Sequence, residues 1–354
     1  MVSLSSAWLR KREMENLFGK TPAQCEALMM DLGEKAFRGR QLSEWLYEKK
    51  AASLDDCTNL PKTLREKLAA RYTIEHGKIV LTQHDPVDDT SKYLIRLSDG
   101  HCIETVLMSY HHGWSICVSS QVGCAMGCAF CASTRGGRIR NLTAGEILDQ
   151  IYLAEQAKGI RISSVVVMGI GEPLDNYENM LDFITLAGDS WGISKRKITL
   201  STCGLIPKIE QLAEADLPIN LAISLHSPFQ DRRAELMPVA RVYALPDLIK
   251  VCKKYFTKTG RRVSFEYALI DGFNDRDEDI KALTALFSGM NCHINLIALN
   301  PVTESVYKGS KNVKSFCDAL KKNGINCTIR RKMGRNIDAA CGQLRSSAGV
   351  STDC

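Results

Sequence analysis

The chain of 354 residues has no apolar run approaching the ~18 residues of a membrane-spanning helix. Its first residues, Met1-Val2-Ser3-Leu4-Ser5-Ser6, contain no apolar core of a signal peptide. These two absences predict a cytoplasmic chain with no membrane partner, whose thiols stay reduced. A disulfide scaffold is thereby excluded as the use of its 14 cysteines, and their abundance points to metal binding or catalysis. Internal repeats and low-complexity segments are also missing. An apolar fraction of 45% and a charged fraction of 24% describe a globular protein with one large and one small domain, or two medium ones. The net charge of +6 is too small to name a partner.

Against that background stands Gly123-Cys124-Ala125-Met126-Gly127-Cys128-Ala129-Phe130-Cys131. Three thiolates can each hold one iron of a four-iron cubane, leaving the fourth iron without a protein ligand. An amine and a carboxylate can chelate that iron. This is the geometry in which S-adenosylmethionine (SAM) takes up one electron and breaks into methionine and a 5′-deoxyadenosyl radical. A zinc knuckle would need a fourth Cys or His nearby, and the next after Cys131 is Cys203. Cys124, Cys128 and Cys131 are therefore the predicted ligands of a [4Fe-4S] cluster.

Residues 21–72 read as helical, with Leu42, Trp45 and Leu46 on one stripe and Pro61 at a helix start. Strand patterns follow over 78–82, 92–97, 102–108 and 114–119, with Asp99-Gly100 as a hairpin turn. Thr143-Ala144-Gly145-Glu146 is a capping box. Strands at 163–168, 197–200, 219–225, 263–269, 293–299 and 326–331 alternate with helices. This is the pattern of a partial or open (β/α) barrel. In such a barrel chemistry collects where strands end. Gly169-Ile170-Gly171-Glu172-Pro173, Ser201, Ser224-Leu225-His226, Glu266-Tyr267 and Asn300-Pro301 all stand at such ends. Glu172 can receive an ammonium, and Gly171 permits close backbone approach. Ser201 and Ser224 can bind ribose hydroxyls or a carboxylate. His226 can contact the ligand or handle a proton, and Asn300 can supply an amide hydrogen bond.

Three residues stand apart from these. Cys117 precedes the triad in a strand, and Cys341 lies far along the chain among Ala339, Ala340 and Gly342. Glu104 is a carboxylate in an otherwise apolar strand, and burial would raise its pKa and make it a better proton acceptor. Basic residues gather at Arg10-Lys11-Arg12, at Arg38 and Arg40, at Arg135, Arg138 and Arg140, at Lys195-Arg196-Lys197, and at Arg330-Arg331-Lys332 with Arg335. Two of these groups flank the predicted site, where a phosphate backbone would account for them.

Taken together, Phe37-Arg38-Gly39-Arg40-Gln41, the triad through Thr134, Gly171-Glu172-Pro173, Ser224-Leu225-His226, Asn300-Pro301 and above all Ile337-Asp338-Ala339-Ala340-Cys341-Gly342-Gln343-Leu344 resemble one family over nearly the whole chain. It is the family of radical SAM RNA-adenosine methyltransferases, RlmN and its relative Cfr. The resemblance implies an α/β fold: a partial (β/α)6 radical SAM barrel with a small helical N-terminal domain and extra β-strands before the barrel. It divides the chain into a helical RNA-binding accessory domain over 1–75, a linker and β extension over 76–112, the barrel with a C-terminal catalytic cysteine loop over 113–344, and a flexible tail over 345–354.

The resemblance also implies two SAM molecules per turnover. One methylates Cys341 by displacement, and the other yields the radical that takes a hydrogen from the S-methyl group. The carbon radical adds to an adenine carbon, Cys117 closes a disulfide onto Cys341, and Glu104 accepts the proton. Gly171, Glu172, Ser201, Ser224, Leu225, His226 and Asn300 match the SAM-contacting positions. The implied substrate is C2 of an adenosine in 23S rRNA, with the tRNA adenosine next to the anticodon as a further one. A flavodoxin or ferredoxin would donate electrons to a monomeric enzyme. The rival is a Cfr-like enzyme acting at C8 and conferring antibiotic resistance, although Cfr sequences carry Ala rather than Pro at position 173. A non-catalytic Fe–S or zinc RNA-binding protein would not need Cys117 and Cys341. Cys203, Asn336 and the Ser- and Cys-containing tail depart from the family pattern, and Cys203 adds an expected oxidation liability.

Overall fold

The computed structural model describes residues 14–300 and 305–344. Three helices come first, α1 (Pro22–Asp31), α2 (Phe37–Tyr47) and α3 (Lys62–Ala69). At the start of α1, the Thr21 hydroxyl accepts from the Gln24 N–H while the Gln24 side chain accepts from the Thr21 N–H. A Cβ on Gly39 would lie 2.4 Å from the Glu26 backbone. The glycine of the Phe37–Gln41 motif thus lets two helix backbones touch. Two short strands, β1 (Glu15–Asn16) and β2 (Tyr72–Thr73), pair in parallel and close this segment.

An antiparallel meander follows, formed by β3 (Lys78–Asp85), β4 (Thr90–Arg96), β5 (Cys102–Tyr110) and β6 (Gly113–Cys117). The predicted turn at Asp99-Gly100 is present, with Gly100 at φ +91°. A ribbon of β7 (Gln121–Gly123) and β8 (Arg138–Asn141) comes next, and no strand pattern in the sequence announces it. The chain then alternates: α4 (Ala144–Lys158), β9 (Ile162–Val167), α5 (Tyr177–Thr185), β10 (Ile198–Thr202), α6 (Ile206–Glu214), β11 (Asn220–Ser224), α7 (Gln230–Leu236), α8 (Leu245–Thr259), β12 (Val263–Leu269), α9 (Asp277–Phe287), β13 (Cys292–Ala298), α10 (Val313–Lys322) and β14 (Cys327–Ile329). The capping box at Thr143 opens α4 as its residues predict.

All the strands from β3 to β14 except the ribbon form one ten-stranded sheet, ordered β14-β13-β12-β11-β10-β9-β6-β5-β4-β3. From β6 to β14 every pairing is parallel. These strands are covered on both faces, so Val165, Leu200, Leu221, Ile223 and Phe265 are fully buried. This is the predicted barrel with its β extension.

Leu17, Met29 and Leu42 from the helical segment share one continuous core with Ile116 and Leu200. Docking is close: a Cβ on Gly145 in α4 would lie 2.2 Å from the Phe18 carbonyl oxygen. No helix among the described residues is long and apolar enough to cross a membrane. Arg10-Lys11-Arg12, Pro301 and the tail over 345–354 lie outside the described residues.

Candidate active site

The cysteine triad hangs from the β7–β8 ribbon. Gly123 has φ +75°, and a Cβ there would sit 2.0 Å from the Gly137 carbonyl oxygen, so only glycine fits. The loop is held at 2.9 Å by Cys124 N–H to Gly137 O and by Ala129 N–H to Leu236 O. Within it, Cys131 N–H donates to Cys128 O, and the Thr134 hydroxyl donates to Cys131 O. All three thiols face a cavity of about 940 Å³ at the C-terminal ends of the parallel strands. Burial and the mutual repulsion of its two neighbours push the Cys128 thiol well above its ordinary value.

The strand ends line the same cavity, with Gly171, Glu172, Ser201, Ser224, His226, Glu266 and Asn300 all present. Gly171 has φ +108° and packs against Gln121, whose amide oxygen accepts from the Glu172 N–H at 2.9 Å. The Glu172 carboxylate is buried, which raises its pKa, and it accepts from Leu174 N–H at 3.0 Å and Cys203 N–H at 2.8 Å. Leu225 is the exception among the predicted contacts. Its side chain is fully buried in the core, away from the cavity, and its N–H donates to Glu266 O. His226 sits at φ +58°, and its Nδ1 accepts from the Ala268 N–H at 3.0 Å. Burial and then the charge of Arg233 pull its pKa down to about 3. Burial thus favours the neutral imidazole, which suits His226 to hydrogen bonding in the cavity.

The two remaining cysteines meet in an adjoining cavity of about 580 Å³ lined by Val106, Tyr110, Cys117, Ala340 and Cys341. Met168, Ile297, Asn300, Arg330 and Cys341 line both cavities, so Cys341 stands at their junction. Its loop is strapped from several sides. Asn300 Nδ2 donates to Cys341 O at 3.3 Å, Ala132 N–H to Gly342 O at 2.8 Å, and the Ser133 hydroxyl to Leu344 O at 2.7 Å. Burial, then the nearby Cys341, push the Cys117 thiol up to about 12, while Arg330 opposes the rise.

Arg330 is what a linear reading misplaces. Grouped by sequence with phosphate-binding residues, it points inward instead. Its guanidinium lies 3.1 Å from Met168 Sδ and 3.3 Å from Glu266 Oε2, and its pKa is raised chiefly by Cys341. Glu266 is buried and also accepts from Asn295 Nδ2 at 2.8 Å. Arg138 and Arg140, after the triad, are likewise committed within the protein, to Asp175 and to Asp99 with Glu146. They tie the ribbon down, where a phosphate role had been expected.

Glu104 lies on the sheet face of Cys117, two residues from Val106, which pairs with Cys117 across the strands. It lines neither cavity. Its carboxylate is 3.1 Å from Lys92 Nζ, so an opposite charge accompanies its burial. Cys203 lines the larger cavity, and burial beside Glu172 raises its thiol well above the ordinary value. A protonated thiol is a poorer nucleophile than a thiolate, so burial works against the expected oxidation liability. Asn336 donates to both oxygens of Asp85, at 3.1 Å from its N–H and 3.0 Å from its side chain. An acidic residue there would face Asp85 with like charge.

The donor set suits an iron–sulfur cluster. Among the described residues no three His, Cys, Asp or Glu side chains converge on a single metal ion. A cubane does not require that, because each thiolate binds a different iron. Cys124, Cys128 and Cys131 would hold it, with the strand-end groups around the fourth iron.

Comparisons with known proteins agree. The model of the radical SAM superfamily matches residues 118–284, and that of the ribosomal RNA large subunit methyltransferase N-terminal domain matches 15–74. A probable dual-specificity RNA methyltransferase RlmN of Lachnospira eligens is 53% identical over 90% of this chain and 92% of its own. That of Lachnoclostridium phytofermentans is 50% identical over 92% and 93%. The crystal structure of a radical SAM methyltransferase from Sphaerobacter thermophilus matches with a TM-score of 0.86 at 41% identity, covering 93% of this chain and 99% of that one.

Proposed function

We infer the reaction from one premise: the chain belongs to the RlmN family of radical SAM RNA methyltransferases. An enzyme of this family uses a [4Fe-4S] cluster and SAM and acts on RNA. We propose that this one methylates C2 of an adenosine in 23S rRNA and, as a second substrate, an adenosine of tRNA, a reading the dual specificity in the relatives' names supports. The observation that carries this reading is Cys341 at the junction of the triad cavity and the Cys117 cavity.

Cys124, Cys128 and Cys131 would hold the cluster, which would supply the one-electron reduction that SAM cleavage and hydrogen removal from a methyl group require. The chain's own residues do the rest. The Cys341 thiolate takes the methyl group of one SAM as S-adenosylhomocysteine leaves, so a turnover consumes two. Asn300 holds the Cys341 carbonyl, and the Arg330 charge acts on both Cys341 and Cys117. Once the methylene carbon is bonded to the base, the Cys117 thiolate attacks Cys341 Sγ. The sulfur–sulfur bond forms as the sulfur–carbon bond breaks; the carbon keeps the electron pair and takes a proton from solvent, and the one electron in excess after the radical addition would return to the oxidised cluster. Glu104, on Cys117's face of the sheet, takes the proton from the base. Gly171, Glu172, Ser201, Ser224, His226 and Asn300 surround SAM, with Leu225 contributing backbone only. Residues 1–75 form the RNA-binding accessory unit, 76–112 the β extension, and 113–344 the catalytic barrel.

The test is mass spectrometry of nucleosides from rRNA and tRNA after anaerobic incubation of reconstituted enzyme with SAM and dithionite. 2-Methyladenosine in both is expected, and 8-methyladenosine would move the reading to the Cfr side. Cys341→Ala should retain RNA binding and lose methylation. Methylation surviving in that variant would overturn the thiol relay.

A further inference from the structure

We propose that Arg233 is a buried counter-charge near the cluster site, a positioning residue that makes a cluster on Cys124, Cys128 and Cys131 easier to reduce. Arg233, in α7, is the largest fully buried side chain of the described residues. Its Nη2 donates to Cys203 O at 2.7 Å and Ser224 O at 3.2 Å, the carbonyls at the ends of two adjacent strands. Its Nε and Nη1 have no partner. No carboxylate among the described residues pairs with it; the groups whose charges it senses are the sulfurs of Cys203, Cys128 and Cys252. The adjacent Arg232 shows the ordinary alternative, an ion pair with Glu278 and Asp279.

An isolated buried cation is costly, and arginine does not escape the cost by losing its proton. Something in the working protein must offset it. The position of α7 shows what. Leu236 O, at its end, accepts the Ala129 N–H inside the triad loop, and Pro238 packs 3.4 Å from the Cβ position of Gly127. The helix end braces the cysteine loop, and Arg233 stands outside the lining of the cavity yet near enough for its charge to act on Cys128. Three thiolates outweigh the charge of an oxidised cubane, and one more electron increases the excess. A fixed guanidinium near that loop favours the reduced state over the oxidised one.

This inference rests on the cluster reading above. The test is a potentiometric titration of reconstituted full-length enzyme, followed by low-temperature electron paramagnetic resonance. Arg233→Gln keeps donors for the two carbonyls and removes the charge, whereas Arg233→Lys keeps the charge. At the potential where the wild type is half reduced, Arg233→Gln should show a reduced-to-oxidised ratio about tenfold lower, which is about 59 mV for a one-electron couple. Arg233→Lys should stay near the wild-type midpoint. A Gln variant with full iron and sulfide content and an unshifted midpoint would reduce Arg233 to a prop for two carbonyls. If that variant does not load iron, Arg233→Lys carries the test: a wild-type midpoint supports the proposal, and a displaced one overturns it. A wild type that takes up no four-iron cluster would defeat the underlying reading instead.

Discussion

Arg330 and Arg331 are neighbours in a basic run, yet their surroundings part them. The Arg330 guanidinium is held by Glu266 and Met168, where the charges of Cys341 and Cys117 reach it. In the proposed relay one thiolate accepts a methyl group and another closes a disulfide, so a fixed positive charge acting on both thiols would serve both steps. Arg330→Met should slow methyl transfer to Cys341 by roughly tenfold, the effect of losing about 1.4 kcal/mol of charge stabilisation. Arg330→Lys should recover part of the rate. Mass spectrometry of S-methylated Cys341 in single-turnover mixtures reads the difference; an unchanged rate in the Met variant would sink the assignment.

Among the elements, the loop over 334–344 has little regular structure of its own and depends on its straps. Asp85 and Asp88, at the β3–β4 turn, accept from Asn336 and from Gly334 N–H, and Lys92 Nζ lies 3.4 Å from Asp338 O. Backbone donors from Asn336 and Val87 hold the Asp85 carboxyl below its ordinary range. Asp85→Ala should raise hydrogen exchange over 334–344 severalfold while leaving the barrel strands protected. Equal protection in the variant would show that other straps suffice. The triad loop depends on a glycine in the same way. Gly123→Ala forces a Cβ onto the Gly137 carbonyl in a left-handed backbone that alone costs ~1–2 kcal/mol. Iron content after reconstitution should fall in that variant, and full iron loading would contradict the close fit.

For the molecule as a whole, buried thiols and one buried imidazole set its pH range. Burial pushes Cys25 and Cys252 up to about 12 and Cys57 and Cys292 up to about 11, from an ordinary 9.0. Above pH 9 the unfolded chain loses protons that the folded chain keeps. Their stabilisation is therefore complete below pH 9 and is lost as pH rises toward 11 to 12, by up to about 1.4 kcal/mol per pH unit for each thiol. His226 acts with the opposite sign. Held near 3 against an ordinary 6.5, it contributes stability above pH 6.5 that is lost as pH falls toward 3. Thermal melts of the apoprotein should show a plateau between these limits with a falling Tm on both sides; a flat profile from pH 8 to 11 would count against the buried thiols. The helical segment belongs to the same cooperative unit, because its core is continuous with the barrel's and Phe18 meets Gly145 at backbone contact.

Local signals carried much of this in the sequence. The thiol spacing, the Thr143 capping box, the Asp99-Gly100 turn and the apolar strand runs are short-range patterns, and each is found where its residues place it. Strand-end chemistry was legible for Glu172, Ser201, Ser224, His226 and Asn300 because a parallel barrel gathers strand ends on one face. Which way a side chain points is not local. Leu225 turns into the core beside two cavity-lining neighbours, Arg330 turns inward from a basic run, and Arg138 and Arg140 are taken by carboxylates distant in sequence. Glu104 meets Lys92 only because β4 and β5 pair in one register. Periodicity and spacing determined the elements and singled out the three thiols proposed to hold the cluster. The tertiary structure decided charge partners and burial, because both depend on groups that the chain brings together from far apart.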